Sequence, residues 1–355
     1  MSKLFTPIKI RELEVKNRLW VSPMCMYSCR QEDGVVGQWH LVHLGSRAVG
    51  GSGLVMAEAS AVNPEGRISL WCPGIWNDVQ VTAWKIVTDF IRAEGSKSAI
   101  QLAHAGRKAS MGQANKTVGK SEGGWETYSA TDVAFEGYAS PRMLTTNEIP
   151  GLVQDFANAA KNAVLAGFDA LEIHAAHGYL IHQFLSPITN KRQDEYGGSL
   201  ENRARFLTEI VQAVRLVIPE GMPLMIRFSA TDYVEGGWDQ AQTNQVAIWC
   251  KELGVDLFDL SSGGLVTGVK IPTGPGYQVG FAQSAKLATQ ADVIAVGQIT
   301  DATQAEVIIA SGQADVAMVG REFLRDPYFA LRAAHELGEE VSWPTQYERG
   351  KWPVA

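Results

Sequence analysis

His174 and His177 stand three residues apart, and Tyr179 follows two residues later. Placed just beyond a strand, such a pair can aim two N–H donors at one oxygen while the phenol reaches an adjacent atom. That is equipment for polarising a carbonyl and delivering a proton beside it. The same two histidines also suit a metal site, which would need a third ligand; Glu58 and His104 are the candidates at neighbouring strand ends. Gln101 offers both a donor and an acceptor, which suits a ring presenting alternating C=O and N–H groups. Arg227 would point a fixed cation into the same space, and a buried arginine needs an anion, such as a cofactor that becomes negative on reduction. Cys25 adds a soft, polarizable side chain that serves equally as a small packed hydrophobe. Gly297, and Gly320 with Arg321, follow two short apolar runs near the end of the chain. Glycine lets backbone N–H groups approach an anion and arginine can pair with its oxygens, although tight turns also use glycine.

These residues converge only if the elements carrying them do. Eight short runs are apolar on both faces, as buried parallel strands are: 18–23, 54–59, 99–103, 170–174, 223–228, 257–261, 293–296 and 316–319. Helical patterns alternate with them, as at 79–94, 152–166, 201–218 and 244–253, with glycines 95, 167, 254 and 312 at the returns. Alternation of this kind predicts an α/β fold, a (β/α)8 TIM barrel in a single domain over 1–355. In that fold all the residues above lie at the C-terminal ends of strands, where active sites are built, and the loops after strands seven and eight bind phosphate. No G-x-G-x-x-G follows the first strand, which weighs against a dinucleotide-binding open sheet. Residues 110–142 break the rhythm and are expected to form a loop or hairpin excursion over the active-site face.

Composition narrows the partners. Of 355 residues, 46% are hydrophobic and the net charge is −7, so a nucleic-acid or anionic-membrane partner is not expected. The N-terminus carries charges where an export signal needs an apolar stretch, and the four cysteines make no metal or disulfide framework, which points to the cytoplasm.

Five segments together resemble the old yellow enzyme family of FMN-dependent ene-reductases. They are SPMCMYS at 22–28, EASAVNPEGRI at 58–68, QLAHAGRKA at 101–109, EIHAAHGYLIHQFLSPITNKRQDEYGGSLENRARF at 172–206 and VGREFLRDP at 319–327. Cys25 and the His/His pair make the chain similar to the bacterial thermophilic-like branch, which includes xenobiotic reductases. The resemblance implies a tightly bound, non-covalent FMN, with NADPH or NADH as hydride donor. It implies that Pro23, Met24, Cys25, Ala59, Gln101 and Arg227 line the isoalloxazine. Gly297, Gly320 and Arg321 would hold the phosphate, with Ser262 and Gly263 nearby. His174 and His177 would bind the carbonyl oxygen of an enone, enal or maleimide, Tyr179 would donate the proton, and Tyr27 would touch the substrate. Cys25 would tune the flavin rather than act as a nucleophile, and no metal is implied. Arg349, in a tail over 343–355, would reach a partner subunit's pocket in a homodimer or homotetramer. Two other readings stand beside this one. A flavin redox sensor without turnover leaves the His/His/Tyr set unexplained, and a metal-dependent barrel hydrolase would use the histidines as ligands. Iron–sulfur relatives on the same barrel need a cysteine cluster that this chain lacks.

Overall fold

Strands that are apolar on both faces must be covered on both, and a closed barrel does so with helices outside and side chains within. The computed structural model describes residues 2–112 and 116–353; residues 113–115 of the expected excursion and 354–355 of the tail lie outside the described residues. A hairpin of β1 (Ile8–Ile10) and β2 (Leu13–Val15) opens the chain. There follow β3 (Leu19–Val21), β4 (Leu54–Ala61), β5 (Lys97–Ala103), a separate pair β6 (Tyr128–Ser129) and β7 (Arg142–Met143), then β8 (Ala170–Ala175), β9 (Leu224–Ser229), β10 (Leu257–Ser261), β11 (Asp292–Ala295) and β12 (Val316–Val319). Strands β3, β4, β5, β8, β9, β10, β11 and β12 close in that order into a parallel barrel. The sequence places each of these within two residues of its observed ends.

The outer layer consists of α1 (Gln38–Val49), α2 (Asp78–Ala93), α3 (Ile149–Leu165), the short α4 (Leu180–Leu185), α5 (Leu200–Arg215), α6 (Gln240–Glu252), α7 (Val279–Thr289), α8 (Ala302–Ala310), the short α9 (Arg321–Arg325) and α10 (Phe329–Glu336). Side-chain caps set several starts: Asn77, Ser199, Asp239 and Asp301 each accept the backbone N–H three residues on. Helix α6 therefore begins four residues before the expected position 244, because its polar first turn is held by the Asp239 cap rather than by apolar spacing. None of the described helices is long and apolar enough to cross a membrane.

Side chains alternate in and out along each strand, so the barrel interior is stacked in layers. At the N-terminal end, Leu54, Ala99, Ala170, Met225 and Leu257 form one apolar cluster with Ile8, Ile10 and Val15 of the hairpin, which plugs the barrel floor. Two residues further along, the inward positions turn polar: Gln101 pairs in register with Glu172, and Arg227 with Asp259. Two further again stand His174, Ser229 and Ser261.

The excursion over 110–142 carries little regular structure. An antiparallel bridge joins Met111 to Thr117, whereas β6 and β7 run parallel, so that pair is not the expected hairpin. Its Trp125 lies over the Arg67 guanidinium at 4.7 Å and donates from Nε1 to the Glu65 carbonyl at 2.8 Å, clasping the segment to the loop after β4. The tail winds as a 3-10 turn over Thr345–Gly350, where Tyr347 meets Tyr328, and Trp352 stacks on His335 with ring centroids 5.1 Å apart.

Ile10 is 5% exposed in the floor cluster. Its truncation in Ile10→Ala is expected to cost about 2–4 kcal/mol of stability, read as a lower urea midpoint at unchanged m-value. No loss would mean that the hairpin does not close the barrel.

Candidate active site

The polar layer is the floor of the site. Gln101 Nε2 donates to Glu172 Oε1 at 2.7 Å, and Arg227 Nε lies 3.0 Å from Asp259 Oδ2. All four side chains are buried. Burial raises both carboxyl pKa values: for Glu172 the neighbouring Asp259 adds to the rise, and for Asp259 the Arg227 charge opposes it.

Above this floor sit the two histidines. His174 ends its strand with Nδ1 accepting the Ala176 N–H at 3.3 Å, which leaves its proton on Nε2. His177 Nδ1 lies 3.4 Å from that Nε2, and its own Nε2 lies 2.7 Å from Ser261 Oγ. When Ser261 donates, His177 carries its proton on Nδ1, and the two imidazoles present converging N–H groups to one acceptor. Both pKa values are held well below the ordinary imidazole range, by burial first and the Arg227 charge next, so the donors are neutral. His177 adopts a left-handed backbone with φ 56°, an unfavourable conformation for a residue with a Cβ. Three contacts fix it: its N–H donates to Ser229 Oγ at 2.9 Å, Lys108 Nζ donates to its carbonyl at 3.0 Å, and the same amine donates to the Gly264 carbonyl at 3.0 Å.

Tyr179 begins α4, its ring set edge-on to His174 with centroids 5.1 Å apart. Burial raises its phenol pKa well above the ordinary value, so it keeps its proton. It packs with Cys25 against a small apolar cluster containing Ala59 and Ala103. The Cys25 pKa is likewise raised, by burial and then by Cys72, which makes it a thiol rather than a thiolate. Tyr27, at φ 52°, and Tyr179 line a cavity of about 860 Å³ with Trp71, Lys108 and, from the excursion, Met111 and Tyr138. Histidine as a metal ligand finds no support in this geometry: Glu58 accepts the Met26 N–H and faces His40, and His104 bonds Tyr128. Among the described residues, no three His, Cys, Asp or Glu side chains are grouped to hold a metal ion.

A second cavity, of about 430 Å³, is lined by Met24, Arg227, Ser261, Gly297, Gly320 and Arg321, together with Tyr277, Gln278 and Gln298. Gly297 has φ 122°, which a residue with a Cβ rarely adopts, and a Cβ there would lie 3.0 Å from Gln278 Nε2. Pro23 stands half-buried beside this wall. Ser262 does not line this cavity, but its hydroxyl donates to Oε1 of Gln278, which does, at 2.6 Å. Gly263 is turned away, with a Cβ position that would meet Ile271, and Arg349 lines neither cavity. Tyr277 and Gln278 escape a reading of strand ends because they lie just before α7. Glu172 and Asp259 carry a legible signal, a lone acid inside a buried strand, but one that gives no role.

These residues fit an FMN. Glycine backbone and Arg321, which forms no ion pair among the described residues, suit its phosphate, and the buried Gln101 and Arg227 suit the polar edge of its ring. The model of the NADH:flavin oxidoreductase / NADH oxidase family matches residues 3–340. An NADPH dehydrogenase of Bacillus subtilis (strain 168) is 49% identical over 351 residues, covering 98% of this chain and 99% of that protein. Among solved structures, morphinone reductase superposes with a TM-score of 0.80 at 31% identity, covering 97% of this chain and 91% of that one. A 2-naphthoyl-CoA reductase, in complex with 2-naphthoyl-CoA, gives a TM-score of 0.86 at 31% identity over 95% of this chain, which spans only 52% of that one.

Burial also lowers the His104 pKa, to about 3. Its unfolded value is about 6.5, so the unfolded chain takes up a proton that the folded one refuses, and stability is lost as pH falls below about 6.5. The stability advantage of the wild type over His104→Gln is therefore expected to shrink by about 2 kcal/mol between about pH 7 and pH 5 in urea titrations. A constant difference would show that His104 titrates alike in both states.

Proposed function

Because this chain belongs to the NADH:flavin oxidoreductase / NADH oxidase family, the old yellow enzymes, and is an FMN-dependent NAD(P)H oxidoreductase, we propose that it reduces the activated C=C bond of α,β-unsaturated carbonyl compounds. The observation that carries this reading is the pair of neutral histidines whose facing nitrogens lie 3.4 Å apart, beside a phenol that stays protonated. Bound FMN supplies hydride transfer, from the nicotinamide to the β-carbon of the acceptor.

The chain's own residues do the rest. Met24, Gln101 and Arg227 hold the ring, with Pro23, Cys25 and Ala59 against it. Gly297, Gly320 and Arg321 hold the phosphate, and Ser262 steadies that wall through Gln278. His174 Nε2–H and His177 Nδ1–H bind the carbonyl oxygen and stabilise the negative charge that grows there as the β-carbon is reduced. Tyr179 Oη holds the proton that passes to the α-carbon. Tyr27 closes the acceptor against the mouth of the larger cavity. Nitroalkenes offer the same kind of oxygen and fall within the same class. An alkene without an electron-withdrawing group gives the histidines nothing to hold and is expected to be a poor substrate.

Arg349, exposed on the packed tail, is proposed to complete the pocket of a partner subunit in a homodimer or homotetramer. Arg349→Ala should then raise the acceptor KM by about tenfold, the size of one charge-assisted hydrogen bond, without slowing flavin reduction. An unchanged KM would leave Arg349 a surface residue.

The main test is one anaerobic cuvette: the flavin spectrum bleaches with NADPH and returns with 2-cyclohexenone. Tyr179→Phe should slow the return about 10²-fold or more while leaving the bleaching within threefold. A flavin that bleaches and is reoxidised by no activated alkene would overturn the proposed acceptor class.

A further inference from the structure

The buried layer beneath the histidines holds two carboxyl groups and one guanidinium. Arg227 pairs with Asp259, Nε to Oδ2 at 3.0 Å, and both side chains are nearly solvent-free, at 7% and 0% exposure. Glu172, 0% exposed, takes a single N–H from Gln101 on Oε1, and its Oε2, like both oxygens of Asp259, has no hydrogen-bond donor among the described residues. With both acids ionised the layer would carry one uncompensated negative charge in a dry interior, held by one amide hydrogen. Desolvation makes that state costly, and one proton removes the excess. A proton on Asp259 would leave Arg227 without its counter-ion, so Glu172 is the group that can take it without breaking a pair.

We propose that Glu172 is a positioning residue that carries this proton at neutral pH and fixes the Gln101 amide, turning Gln101 Oε1 toward the flavin ring as a set acceptor. The second half rests on the reading of Gln101 as a ring-lining residue; the first does not. The groups facing Glu172 are Gln101 from β5, Arg227 from β9 and Asp259 from β10, while His174 above it on β8 is neutral. Burial, followed by the Asp259 charge, raises the Glu172 pKa, in accord with this arrangement. With one of its two Nε2–H groups given to Glu172 Oε1, Gln101 turns its Oε1 away from Glu172 and leaves it for the ligand.

Infrared difference spectra between the wild type and Glu172→Gln, taken on protein stripped of FMN, test the proton directly. The expected result is a protonated-carboxyl C=O band at neutral pH that shifts in D2O and is absent from the variant. FMN titration tests the positioning: Glu172→Gln keeps an acceptor and should bind FMN within about threefold of wild type, whereas Glu172→Leu should bind about tenfold more weakly. Carboxylate bands alone at neutral pH would overturn the proposal whatever FMN does. A protonated band with equal FMN affinity in both variants would instead overturn the placement of Gln101 against the ring, and with it the positioning role.

Discussion

The burial of the Arg227 guanidinium sets the terms for the rest of the barrel. Its charge cannot be removed by deprotonation, so the fold must answer it where it stands. Asp259, in register on the next strand, supplies the counter-ion at 3.0 Å. The same charge acts upward, where it lowers the pKa values of His174 and His177, and sideways, where it opposes the rise of the Glu172 pKa.

Such a layer is tolerable because of what lies beneath it. The apolar floor formed by Ile8, Ile10, Val15, Leu54, Met225 and Leu257 keeps water out from the N-terminal end. It also supplies packing energy that the polar layer, with Glu172 Oε2 and both Asp259 oxygens lacking a hydrogen-bond partner among the described residues, cannot. The division follows from the two-residue period of a strand: on β8, β9 and β10 one inward position is apolar, the next charged, and the next polar at the mouth of the barrel. At the top, His177 and Tyr27 take left-handed conformations near the cavity mouth.

Most of the scaffold is legible in the sequence because a parallel strand buried on both faces has an unmistakable composition. Strand ends also mark where chemistry can stand, which is why His174, His177, Tyr179, Gln101, Arg227 and Arg321 can be picked out before any coordinates. What escapes is whatever depends on a loop's path or a long-range register. Tyr277 and Gln278 reach the smaller cavity from a connection whose course no local pattern dictates. Ser262 and Gly263 share their strand end with Ser261, yet only Ser261 lines that cavity, because the chain turns away after it. The excursion offers no periodicity to read, and its parallel β6–β7 pair could not be inferred from spacing. Glu172 stands out as an acid inside a buried strand, but no role follows until Gln101 is found beside it.

In the proposed role the two histidines donate as neutral imidazoles, kept so by burial first and the Arg227 charge next. A neutral N–H binds a carbonyl modestly and gains as charge develops on the oxygen, so its contribution falls where the reaction needs it. For His177 to donate toward the substrate at all, its other nitrogen must accept, and the hydroxyl of Ser261 at 2.7 Å is the group that allows it. Ser261 lies on β10 two residues beyond Asp259, so one strand carries both the counter-ion of Arg227 and the partner that orients His177. The charge balance below and the proton placement above are thus tied to the register of one pair of strands, β9 with β10.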